Sequence, residues 1–213
     1  MGKLFFLWIL IFSLLSCNKE SETYYEGYGL VNKPGKGQYT ITLDDGNLLY
    51  PKESYLNPAK LRDSKRMFIR FNIQSETDSC TYIRIAYADT IQTISILPYN
   101  ESNSELAGKD PVKITKAWFA HGFLNFEFMF AGQYPANSGR THSVNLLQLP
   151  PENNKPIFEF RHNDFNNRRE QLYMEVVSFP VQEILTNMKK PVTIIVKFSD
   201  SANTERSLEI TYK

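Results

Sequence analysis

The chain is short of the residues that usually carry chemistry and of those that staple small exported folds. It holds two cysteines and three histidines. If Cys17 is committed elsewhere, as argued below, Cys80 has no partner, and internal disulfides, the usual aid of small exported domains, are excluded. Cys80 follows Asp78-Ser79 and precedes a strand-like run with no adjacent cation to favour a thiolate, so it is expected as a buried or half-buried thiol. His121, His142 and His162 lie too far apart for a local HxxxH pair, and no metal site or cofactor is expected. No serine sits in GxSxG. Gly27-Tyr-Gly29 and Gly35-Lys-Gly37 lack the helix that a phosphate loop needs after it. Asp44-Asp45 reads as a turn, not as the paired carboxylates of a glycosidase. Nothing here points to an enzyme. The formal net charge is only +1, which leaves no clustered basic surface for nucleic acid.

No apolar run is long enough to cross a bilayer, which takes roughly 20 residues. The oiliest stretch, Leu4 to Leu15, is broken only by Ser13 and follows Lys3. A basic start and a short apolar run make an export signal. Its end, Leu14-Leu15-Ser16-Cys17, resembles the lipobox of bacterial lipoproteins. That resemblance implies cleavage before Cys17, a diacylglycerol on its thiol and acylation of the freed amine. An ordinary secretory signal with an incidental cysteine is the alternative. Each buried CH₂ contributes about 0.8 kcal/mol and a single chain is only marginal, so several chains are what would hold the protein on a membrane. Lys3 is the only charge among residues 1–16, so the processed chain would be formally neutral. Asn18-Lys19-Glu20-Ser21-Glu22 resembles acidic surface-export signals of Bacteroidetes and reads equally well as a solvated tether. The expected location is the outer membrane, with the periplasmic leaflet and the cell surface both open.

What the chain has in plenty is aromatic side chains, 15 Phe and 12 Tyr, and these suit strands. Apolar residues recur with period two, the mark of a half-buried sheet. Tyr39–Leu43 and Leu48–Tyr50 flank Asp44-Asp45-Gly46-Asn47, which predicts a hairpin. Met67, Ile69, Phe71 and Ile73 form one buried face, and Ile83, Ile85 and Tyr87 another. The polar stretch from Asn100 to Asp110, closed by Pro111, predicts a domain boundary. Beyond it, Leu124, Phe126, Phe128 and Phe130 share one face, to be covered by strands near 142–149, 157–161, 172–179, 192–198 and 207–212, the last two forming a closing hairpin. Val181, Ile184, Leu185 and Met188 fall at helical spacing. Pro180 and Pro191 limit that helix to two or three turns, plugging one end of a sandwich. Many short strands without βαβ alternation indicate sandwich or barrel architecture.

An ordered set of segments then resembles a known family. "LDDGNLLYP" (43–51), "KRMFIRFNI" (65–73), "WFAHGFLNFEF" (118–128), "THSVNLL" (141–147), "FEFRHNDFNN" (158–167) and "VVSFPV" (176–181), after the lipobox, are similar to the NigD-like lipoproteins of Bacteroidetes. The resemblance implies an all-β chain: an N-terminal OB-like β-barrel followed by a C-terminal immunoglobulin-like β-sandwich. The expected division is 1–16 signal peptide, 17–35 tether, 36–111 barrel and 112–213 sandwich. The family's name comes from a bacteriocin locus, which implies a role in immunity. The tract "ILPYNESNSE" lacks the lysine that members often carry after its leucine, so the hinge is the least fixed point.

Candidate interaction residues are Trp118, Arg161 and His162. Alternation puts His162 on the buried face with Phe158 and Phe160, where a histidine is more often a hydrogen-bonded core residue than a catalyst. Asp89-Thr90-Ile91 and Asp200-Ser201-Ala202 match the short O-glycosylation motif of exported Bacteroidetes proteins, at Thr90 and Ser201. Two non-enzymatic functions fit: a membrane-tethered module that binds a protein of the envelope or a bacteriocin, or a glycan-binding lipoprotein that stacks sugars on Tyr24, Tyr25, Tyr28 or Trp118.

Overall fold

Period-two patterning is realised almost throughout. The computed structural model describes residues 22–35, 38–57, 61–133, 142–167 and 169–213. The first five strands are β1 (Tyr25–Gly35), β2 (Gln38–Leu43), β3 (Leu48–Ser54), β4 (Arg66–Glu76) and β5 (Thr81–Thr90). They close into a barrel of order β1-β2-β3-β5-β4, with β3 and β5 parallel and the remaining pairs antiparallel. The expected hairpin joins β2 to β3, and Gly46 at its tip has φ 95°, the left-handed geometry that glycine tolerates without a Cβ clash. Val31, Ile41, Leu49, Met67, Ile69, Phe71, Ile83 and Ile85 fill the interior. Gly29 on β1 allows that closure: a Cβ there would meet Ile41 Cγ2 at 2.8 Å and the Thr42 carbonyl oxygen at 2.9 Å.

Two sheets form the second unit. β6 (Gln92–Thr93), β8 (Lys113–Ala120), β9 (Phe123–Gly132) and β12 (Gln171–Pro180) make a four-stranded sheet in the order β6-β12-β9-β8. β7 (Leu97–Pro98), β10 (Ser143–Glu152), β11 (Lys155–Asn163), β13 (Val192–Ser199) and β14 (Glu205–Tyr212) make a five-stranded sheet in the order β14-β13-β11-β10-β7. The four side chains of β9 that demanded cover lie between them. Phe126 packs on Phe160 of β11 at 5.0 Å between ring centroids and on Phe179 of β12 at 5.9 Å, and Phe128 packs on Phe160 at 5.2 Å. Such offset and edge-on aromatic pairs contribute about 0.5–1.5 kcal/mol each beyond area burial. The closing hairpin pairs β13 with β14 in the register Ile194↔Ile210 and Val196↔Leu208.

Three boundaries differ from expectation. Residues Tyr25–Gly35, expected as tether, are the first strand of the barrel and pair on both sides. The tract Asn100–Asp110, expected as the domain boundary, holds helix α1 (Glu101–Ala107), capped by the Asn100 side chain on the Asn103 amide; Asn is a strong N-cap, and that local chemistry outweighed the polarity of the tract. With β6 and β7 already in the sandwich sheets, the barrel ends near Thr90, well before the expected break at 111. The second helix, α2 (Gln182–Leu185), is a single turn, shorter than the expected two or three, and buries Leu185 beside Val181 at the sandwich end.

Candidate functional site

The barrel and the sandwich meet on a polar knot built from both. Arg66, at the start of β4, is 0 % exposed. Its guanidinium donates to both carboxylate oxygens of Asp44 in the β2–β3 turn, at 2.5 and 2.6 Å, and to Asn125 Oδ1 on β9 at 3.1 Å. Asn125 Oδ1 also accepts from Ser178 Oγ of β12 at 2.7 Å. Trp118 on β8 donates its indole N–H to Asp44 Oδ2 at 2.7 Å, and His121 Nε2 lies 3.1 Å from the Leu43 carbonyl oxygen. His121 and Gly122 hold the β8–β9 turn with φ 51° and 80°, positive at both central positions as a two-residue hairpin of twisted strands requires. The bidentate pair and the bond to Asn125 satisfy the terminal nitrogens of the buried guanidinium, while its Nε has no hydrogen-bond partner among the described residues. The knot fixes the orientation of the two units.

Above it runs a cleft of about 620 Å³, lined among others by Tyr28, Phe68, Asp45, Lys116 and Trp118. Its rings are already engaged. Tyr28 lies 5.2 Å from Trp118 and 5.5 Å from Phe68, and Lys116 Nζ sits 4.9 Å from the Trp118 centroid. Trp118, expected as a free interaction residue, is therefore a half-buried member of the seam.

The outer face of the four-stranded sheet continues away from this cleft. Leu172 and Met174 of β12 are 70 % and 63 % exposed, and their partners on β9 in the same register are Ala131 and Met129. Because successive strand residues alternate, these four share one face while Phe128, Phe130 and Tyr173 turn inward. The sequence reading took 172–179 only as core cover, and the one-residue phase shift of Leu172 and Met174 from the inward Tyr173 was the signal that could have found this surface.

His162 and Arg161, the other expected interaction residues, are buried at 2 % and 9 % exposure and are not surface groups. Arg161 bonds Glu159 at 2.8 Å, the Gly108 carbonyl oxygen at 3.0 Å and Ser104 at 3.3 Å, which clamps α1 onto β11. Next to the inward His162 on β11, Arg161 turns away from the sandwich core, and α1 covers it there. His162 does share the inner face, with its ring 5.0 Å from Phe130 and 5.5 Å from His142. Neither of its ring nitrogens has a hydrogen-bond partner among the described residues, so the expected core hydrogen bond is missing. Burial, with His142 beside it, lowers its pKa to about 4. His142 Nε2 lies 3.0 Å from Glu175 Oε1 at a cavity of about 60 Å³. Two of the three histidines thus converge, but among the described residues no group of three or more His, Cys, Asp or Glu is placed to hold a metal.

Of the remaining expected positions, Cys17 lies outside the described residues, and Cys80 is half-buried and unpaired. Ser201 is exposed in the β13–β14 turn, where Asp200 accepts from the Ala202 and Thr204 amides. Thr90 is exposed, but Ile91 of the same triplet is 4 % exposed and its amide donates to the Arg66 carbonyl. Among the described residues no helix is long and apolar enough to cross a membrane.

A closed OB-type barrel locked to a two-sheet sandwich defines the class of the protein. The sequence matches the NigD-like N-terminal OB domain over residues 28–91 and the NigD-like C-terminal beta sandwich domain over 95–212, and the chain belongs to the NigD-like family. A comparison with curated proteins finds no match. Solved structures share the fold. A toxin-related protein of Parabacteroides distasonis is 24 % identical with a TM-score of 0.72, covering 90 % of this chain and 94 % of that one. A NigD-like immunity protein of Bacteroides caccae is 15 % identical with a TM-score of 0.69 over 89 % and 98 %. A lipoprotein of Bacteroides fragilis is 14 % identical with a TM-score of 0.65 over 90 % and 99 %.

Proposed function

We propose that this protein is a non-catalytic recognition module, held by acyl chains on Cys17 at the outer membrane, that binds a protein partner through the outer face of its four-stranded sheet. The observation that carries this reading is the pair Leu172 and Met174, largely exposed beside Met129 and Ala131 on a rigid sheet. Contiguous exposed apolar surface marks interaction sites, and methionine is over-used on binding surfaces because its side chain adapts. The lipobox and the fold shared with a lipoprotein support the anchor. The family, and the fold shared with an immunity protein, favour bacteriocin interception as the form the binding takes. Glycan binding is the weaker reading, because Lys116 and Tyr28 already occupy Trp118.

The test is photo-crosslinking in intact cells from a benzophenone amino acid placed at Met174. A discrete protein adduct that disappears when Leu172 becomes Glu supports the proposal. No adduct, or one indifferent to Leu172→Glu, refutes the surface. Retention of the mature protein on a polysaccharide column without any adduct would transfer the assignment to glycan.

A further inference from the structure

The fastening of Glu22, five residues after Cys17, constrains how the body sits on the proposed anchor. Glu22 is fastened to the barrel wall: Arg84 donates to its Oε1 at 2.5 Å, Tyr24 to its Oε2 at 2.5 Å, and Asn72 to the same oxygen at 3.3 Å. Five residue steps separate Glu22 from Cys17, and a chain spans at most about 3.6 Å per residue. The Glu22 Cα therefore lies within about 18 Å of the Cys17 Cα, which puts the wall that holds Glu22 close to the proposed anchor.

The side chains gathered there differ from the rest of the surface. Among the described residues, three of the five tyrosines that stand out as exposed, Tyr24 (39 %), Tyr25 (47 %) and Tyr87 (50 %), are on this wall or at its rim. Arg70 lies across the ladder from Tyr87, and its guanidinium sits 4.9 Å from the Tyr24 ring. Arg70 and Arg84 are balanced by Glu26 and Glu22 at 3.6 and 2.5 Å. Tyrosine places an apolar ring and a polar tip at the level of lipid headgroups. Arginine presents a fork that matches phosphate. Paired guanidiniums and carboxylates mirror the phosphate and ammonium of a zwitterionic headgroup, whereas a surplus of basic residues would suit anionic lipid.

We infer that the barrel wall bearing Tyr24, Arg70, Arg84 and Tyr87 docks on the zwitterionic bilayer surface beside the acyl anchor, fixing the orientation of the body. This rests on the lipid-anchor reading.

The experiment uses the acylated, mature protein in phosphatidylethanolamine nanodiscs carrying a headgroup spin label. Signal cleavage removes Trp8, so Trp118 is the common fluorescent background. Tyr87→Trp reports the proposed contact, and Tyr99→Trp, an equally exposed position at 50 % on the sandwich, reports a remote site. Docking predicts that spin label quenches the emission added at 87 by about twofold or more and leaves that added at 99 nearly unchanged, because quenching needs residence at headgroup depth. Replacing Tyr24 and Arg70 by Ser should return position 87 to the level of position 99. Equal quenching at both positions, with the protein still held in the disc, overturns the docked orientation while the anchor stands. Elution of the protein free of discs overturns the anchor itself and the docking with it.

Discussion

Asp44 is the residue on which the junction turns, because Arg66 of the barrel and Trp118 of the sandwich both donate to its carboxylate. Asp44→Ala leaves Arg66 as an uncompensated buried cation, and removal of one member of such a pair costs about 3–5 kcal/mol. Trp118→Phe removes one charge-assisted hydrogen bond and should cost about 1.5–3 kcal/mol. Urea unfolding of the mature protein checks both, and an Asp44→Ala loss below that of Trp118→Phe would contradict the ranking. His162 makes a second prediction at this scale. Its folded pKa, about 4, lies below the ordinary 6.5, so the unfolded chain takes up the proton first. Stability is therefore full above pH 6.5 and falls as pH drops towards 4, by about 2 kcal/mol between pH 7 and 5. His162→Leu should flatten that slope by the same amount, as read from denaturant midpoints at the two pH values. Little of this was legible in the sequence. Alternation put His162 inside correctly, but Asp44 read only as a turn residue, since the donors that make it a junction, Arg66 and Trp118, lie 22 and 74 residues away. Such separations leave no local periodicity to read.

Among elements, α1 and β1 carry the lesson. α1 is short and polar, with only Ala107 buried from within it. It is docked by Arg161 beneath it and by Gly108 at its end, where φ is 69° and a Cβ would meet Asn163 Cβ at 2.7 Å and the His162 carbonyl oxygen at 2.8 Å. Gly108→Ala combines a positive φ with a backbone collision, so it should cost more than the ~1 kcal/mol of an ordinary glycine replacement in a strained position. Thermal melting and hydrogen exchange over 101–107 would register it; an unchanged melt would mean that the helix end is free to shift. The strands with strict alternation, β4, β9 and β13, were readable because one face of each must be buried. β1 was not, since Gly27, Gly29 and the polar Asn32 and Lys33 interrupt its pattern, and it is held by pairing with two neighbours.

On the scale of the whole molecule, a two-part body has one distinctive exposed apolar face and one wall that holds Glu22. The family and the architecture were recoverable because six ordered segments survive across the chain. The binding face was not, because exposure is a property of three-dimensional neighbours. Leu172→Glu and Met174→Glu should leave the melting temperature within the scatter of surface changes, about ±0.5 kcal/mol in stability, while abolishing partner adducts. A large loss of stability instead would recast that face as part of the fold. The account stands first on the anchor, and intact mass analysis of the protein extracted from native envelopes tests it most directly. It predicts a chain beginning at Cys17 and carrying a diacylglycerol with a further acyl group. A chain that begins elsewhere, or at Cys17 with a free thiol, would contradict it.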